Sequence, residues 1–82
     1  MNQQLIFNND FRLTDNQDAV CCSVLQSGLR IAVVIRMPEG WEPDVWLAQI
    51  KEDGFFWEEQ IEVALAADQL SSDGVLYLDG AV

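Results

Sequence analysis

Residues 19–37, AVCCSVLQSGLRIAVVIRM, limit the possible folds more than any other stretch of this chain. From residue 29 onward, Leu29, Ile31, Val33, Ile35 and Met37 fall on one face, and Arg30, Ala32, Val34 and Arg36 on the other. A period of two marks a half-buried antiparallel strand. The preceding run, residues 19–26, is rich in Val and Cys, and Ser27-Gly28 between the two supplies a turn whose glycine tolerates positive φ. A two-residue loop there sets Val24 opposite Ile31, Cys22 opposite Val33 and Val20 opposite Ile35. All these pairs are apolar and lie on one face, so pattern and register agree. A three-residue loop would set Ser23 and Ala19 against Ile31 and Ile35, a weaker apolar set. Serine is not the ideal first residue of a type I′ turn, which leaves the turn type open.

The remaining elements follow from flanking signals. Leu5-Ile6-Phe7 reads as a short first strand, followed by a polar connection through residues 8–16. Val75-Leu76-Tyr77-Leu78, bracketed by Asp73-Gly74 and Asp79-Gly80, reads as a last strand. Between the hairpin and that strand lies a helical zone. Pro43 suits the first position of a helix, Asp44 its positive N-terminal end, and Gly54 its stop. Trp46, Leu47 and Ile50 share one side of this helix. A second helix carries Trp57, Ile61, Ala64 and Leu65 at amphipathic spacing. The order is β-β-β-α-α-β in a single domain over residues 1–82. The expected fold is a two-layer α+β domain, with a four-stranded antiparallel sheet bearing two helices on one face.

The runs AVCCSVLQSGLRIAVVI, FFWEEQIEVAL and DGVLYL, in this order, resemble a small bacterial family known as domain of unknown function 1488. The resemblance spans most of the chain, from the first strand to the last. It rests on the order and pattern of elements and on no catalytic signature. It implies an α+β fold and carries no activity, cofactor or site residue with it.

Charge narrows the function classes. The chain has 14 acidic and 4 basic residues and a net charge of −10. Up to residue 38, three aspartates are balanced by Arg12, Arg30 and Arg36; beyond it, eleven acids face Lys51 alone. That balance argues against direct nucleic-acid binding, which needs cations on phosphates, and against an anionic membrane surface. No stretch approaches the roughly 20 apolar residues of a membrane span, and the first residues carry no basic, apolar leader signal, so a cytoplasmic location is expected. Cys21 and Cys22 are adjacent, histidine is absent and no C-x-x-C occurs, which favours two structural strand residues over a zinc or redox site. Without histidine the usual nucleophile triad is excluded, and no phosphate-binding glycine loop is present. Catalysis and a cofactor are therefore not expected.

Two clusters remain. Glu58 and Glu62 are helical neighbours that repel, and with Glu52, Asp53 and Glu59 they form an acidic group. A solvated helix face, a partner contact and a hard-cation site are the readings, but no calcium-loop motif is present. Five of the eight aromatics (Trp41, Trp46, Phe55, Phe56 and Trp57) fall within seventeen residues. On a helix, Phe55, Phe56 and Trp57 span 200°, more than one stripe can hide. Either the helix starts at Trp57 and the phenylalanines fold back on the core, or one of them is exposed to a partner or a second copy.

The leading expectation is a protein-interaction module. Its candidate surface is Phe55, Phe56 and Trp57 rimmed by Glu58, Glu59 and Glu62, and its partner is a protein with a basic patch. The first strand, as a sheet edge, also permits a homodimer. The alternatives are an acidic nucleic-acid mimic that inhibits a DNA-binding protein, and a carboxylate metal-dependent enzyme.

Overall fold

The computed structural model describes residues 5–80. The reading of residues 1–7 as lacking a leader signal lies partly outside them, at residues 1–4. The strands are β1 (Leu5–Phe7), β2 (Arg12–Leu13), β3 (Ala19–Gln26), β4 (Leu29–Arg36) and β5 (Val75–Asp79), with helices α1 (Pro43–Glu52) and α2 (Gly54–Ala66) between β4 and β5. Strand order is β1-β3-β4-β5, and β2 also pairs with β3.

The β3–β4 hairpin takes the register set by the two-residue loop: Gln26 opposes Leu29, Val24 opposes Ile31, Cys22 opposes Val33 and Val20 opposes Ile35. Ser27 and Gly28 have φ of 52° and 87°, and two consecutive positive values define a type I′ turn. Serine therefore occupies a conformation that Asn or Gly adopts more readily, and the strand pairing imposes it. Val20, Val24, Val33 and Ile35 are fully buried on the shared face. Each such side chain contributes about 1.5–3 kcal/mol by leaving water.

The sheet is mixed, and the expectation of a wholly antiparallel sheet is corrected here. β5 runs parallel to β4, with Val33 beside Leu76 and Ile35 beside Leu78. The two-helix connection carries the chain back to the starting end of β4, as any parallel neighbour requires. Alternation within a strand reports burial and is silent on the direction of its neighbour. A fifth strand, β2, also lies in the connection read as wholly polar.

Both helices cover the face presented by Val24, Val33 and Leu76, and they bury Trp46, Ile50, Trp57, Ile61 and Ala64 against it. α1 begins at Pro43, carries Asp44 in its first turn and Lys51 in its last, and packs over β3 and β2. Gly54 does not stop this helix. Asp53 alone separates the two helices: its N–H donates to the Gln49 carbonyl, and its own carbonyl accepts the Trp57 N–H. α2 therefore opens at Gly54 and packs against β5. At the end of β5, the Gly80 N–H donates to the Arg36 carbonyl at 2.9 Å. A Cβ on Gly80 would collide with that carbonyl and with the Trp46 indole, so no larger residue fits.

The other sheet edge is one strand interrupted. β1 pairs Phe7 with Val24, and β2 pairs Arg12 with Cys21, so residues 8–11 bulge away from β3. The bulge folds over Ser23, the buried polar side chain on the helix-free face. The Ser23 N–H and hydroxyl both donate to the Asp10 carboxylate at 2.8 Å, and the Asn8 amide donates to the Ser23 oxygen at 3.0 Å. Burial pushes the Asp10 carboxyl up, but the two Ser23 bonds and the Arg12 guanidinium outweigh this and hold it below the usual range. A depressed folded-state pKa gives stability that is present above the unfolded value near 3.9 and is lost as pH falls through the folded one. Asp10→Ala is expected to cost about 1–3 kcal/mol at pH 7, because it leaves Ser23 donors unpaired. In urea titrations this deficit relative to wild type should shrink below about pH 4.

Candidate functional site

The aromatic cluster is divided by the geometry of α2. Trp57 is 4% exposed and lies in the core with Ile61 and Ala64, three and four residues apart along the inner stripe. Phe55 and Phe56 precede it on the same helix, so neither folds back in a turn. Phe55 is 88% exposed and Phe56 42% exposed. The sequence left two outcomes open, and the structure has the exposed one. Trp57, a candidate site residue, belongs to the core and supports the surface from below.

That support is a continuous row of edge-to-face rings. Trp41 meets Trp46 at 5.1 Å between centroids, Trp46 meets Trp57 at 6.4 Å, and Trp57 meets Phe56 at 5.0 Å. Each contact adds about 0.5–1.5 kcal/mol beyond area burial. The row joins the loop before α1, α1 itself and the first turn of α2, and so fixes the direction in which Phe55 points. The cost of close packing appears at Trp46, whose buried Nε1 has no hydrogen-bond partner among the described residues.

Two open clefts flank Phe55. One is lined by Asn9, Lys51, Glu52, Gly54 and Glu58, the other by Phe7, Glu58, Glu59 and Glu62. All three rim glutamates thus line the clefts beside Phe55, and Phe7 of β1 adds an apolar side chain to one of them. Phe7 and Asn9 were absent from the sequence-derived surface. They enter through the sheet edge, which packs beside the start of α2 by tertiary structure alone. The outer stripe of α2 continues through Glu59, Glu62 and Val63, all exposed.

The opposite, helix-free face of the sheet has another chemistry. Arg12, Cys21, Val34 and Tyr77 form one cross-strand row, and Ile6, Leu25 and Arg30 another. Arg36 lies over the Tyr77 ring at 5.4 Å from its centroid. Arg12 and Arg30 approach the Asp10 carboxylate at 3.6 and 3.9 Å, with side chains 61% and 68% exposed. Three of the four basic residues therefore share this face. The alternation of Arg30, Ala32, Val34 and Arg36 had already placed two of them there.

Among the described residues no three acidic or cysteine side chains converge as a metal-ligand set. No helix among the described residues is long and apolar enough to cross a membrane. Cys22 faces the core, and burial, reinforced by the nearby Asp10 charge, pushes its thiol up to about 12. It stays protonated and is a poor nucleophile at neutral pH.

No family model matches the chain, and no curated protein matches it. Among solved structures, the chain is similar to a crystal structure of a protein of unknown function from the domain of unknown function 1488 family of Shewanella loihica PV-4. The TM-score is 0.81 at 20% identity, over 95% of this chain and 94% of that one. The likeness supports the resemblance drawn from the hairpin, second-helix and last-strand runs. At this identity it establishes a shared α+β fold, and that relative brings no activity with it.

Cys22 is expected to resist alkylation by iodoacetamide at pH 8 in the native protein and to react once urea unfolds it, as read by peptide mass spectrometry. Labelling of Cys22 at the same rate with and without urea would contradict its place in the core.

Proposed function

We propose that this domain is a non-catalytic protein-interaction module that receives a partner on the outer face of α2, around Phe55. The observation that carries this reading is a phenylalanine 88% exposed on an ordered helix, between two clefts lined by Glu58, Glu59 and Glu62. Leaving a whole aromatic ring in water forgoes roughly 1.5–3 kcal/mol of burial. Aromatic side chains are enriched at the centres of interfaces, and a polar rim around them is the usual arrangement. The rim here is acidic, so the partner surface carries basic residues around an apolar pocket, and opposite charge speeds and orients its approach. A nucleic-acid mimic is less well supported, because Phe55 and Val63 interrupt the carboxylates on the same stripe with apolar surface.

The test places a photo-crosslinking phenylalanine analogue at position 55 in cells, with Leu29 as control, since Leu29 is 71% exposed at the hairpin tip. A discrete crosslinked protein at position 55 and none at position 29 is expected. Equal, diffuse crosslinking at both would overturn the assignment.

A further inference from the structure

The two faces of this domain are chemical opposites. The outer stripe of α2 presents Phe55 and Val63 with Glu59 and Glu62, spaced at i, i+4, i+7 and i+8. The helix-free sheet face presents an apolar centre at Val34, Leu25 and Tyr77, with Arg12, Arg30 and Arg36 around it; Asp10 and Asp79 also lie on this face, and the three arginines outnumber them. Among the described residues no helix covers this face: the bulge at Asp10 closes over Ser23, while Val34 and Leu25 stay half-buried and the Tyr77 ring is exposed. Dimensions agree as well as charge. A helix of 13 residues is about 20 Å long, and four strands span about 14 Å between their outer axes.

We propose that the sheet face of one copy receives the outer face of α2 from a second copy, so that copies associate head to tail. The proposal rests on the reading of the Phe55 surface as an interaction site and names its basic partner surface as that of this same chain. Glu59 and Glu62 then meet the arginines, and Phe55 and Val63 cover the apolar centre. A two-fold arrangement that stacks sheet face on sheet face would bring together two faces on which arginines outnumber aspartates, and one that stacks α2 on α2 would set glutamate against glutamate. Charge therefore selects the heterologous contact, which closes into a ring or extends as a filament. The net charge of −10 opposes association at long range. At physiological salt the screening length is about 8 Å, so the contacting pairs decide the outcome.

Sedimentation velocity with two variants tests this. One variant, Phe55→Ser with Glu62→Lys, disables the helix face; the other, Arg30→Glu with Arg36→Glu, disables the sheet face. At physiological salt the wild type is expected to grow beyond a dimer with concentration, and each variant alone to associate at least about tenfold more weakly. Mixed, the two variants retain one intact face each and should form a one-to-one dimer that grows no further. Circular dichroism confirms folding, and the single Arg30→Gln change replaces the double sheet-face variant if that one unfolds. A wild type that stays monomeric to millimolar concentration, or a mixture that forms no dimer, overturns the proposal. In that case a crosslink from position 55 to a different protein would leave the interaction-module reading standing.

Discussion

The β3–β4 pairing is the constraint on which the rest of the molecule depends. Its register gathers Val20, Cys22, Val24, Ile31, Val33 and Ile35 on one face, and a slip of one residue would turn one strand's three toward the other face. A sheet with one such face must be covered, and among the described residues the longest connection, between β4 and β5, covers it. Two helices therefore cross that face, and the chain returns beside β4 with Leu76 completing the same apolar row. The parallel fifth strand is a consequence of covering the hairpin. Stability is concentrated in this contact between layers, as expected for a small domain with a single core.

A single core also limits how many large side chains it holds. Trp46 and Trp57 fill the space between the helices and the sheet, and Trp41 and Phe56 close its ends by edge-to-face contacts. The space is tight enough that Gly80 must lack a side chain, and Trp46 Nε1 finds no partner among the described residues. Phe55, two residues before Trp57, is turned 200° from it and has no place inside. Its exposure follows from helix periodicity once Trp57 is committed inward. Four of the eleven acids that follow residue 38, Glu52, Glu58, Glu59 and Glu62, line the clefts beside Phe55.

Local pattern carried most of this fold. Alternation in β4 and the Ser27-Gly28 turn determined the hairpin to the residue, and the spacing of Trp57, Ile61 and Ala64 determined the inner stripe of α2. The rest depended on contacts between distant segments. β2 is two residues long and is held by pairing with β3, so no periodicity announces it. The bulge that seats Asp10 on Ser23 joins residues thirteen apart in sequence. The direction of β5 is a property of its connection and not of its own residues. At the candidate surface, Phe55 and the glutamates were legible because helical geometry alone brings them together. Phe7 and Asn9 were not, because they arrive from the sheet edge.

The core is complete without Phe55, whose ring stays on the surface. Urea unfolding of Phe55→Ser beside Trp57→Ala tests it most directly. Phe55→Ser is expected to change stability by no more than about 0.5 kcal/mol, as at an ordinary exposed site. Trp57→Ala should lose about 3–5 kcal/mol through the cavity it leaves. A loss for Phe55→Ser as large as that for Trp57→Ala would show the ring to be part of the core, and the surface built around it would have no basis.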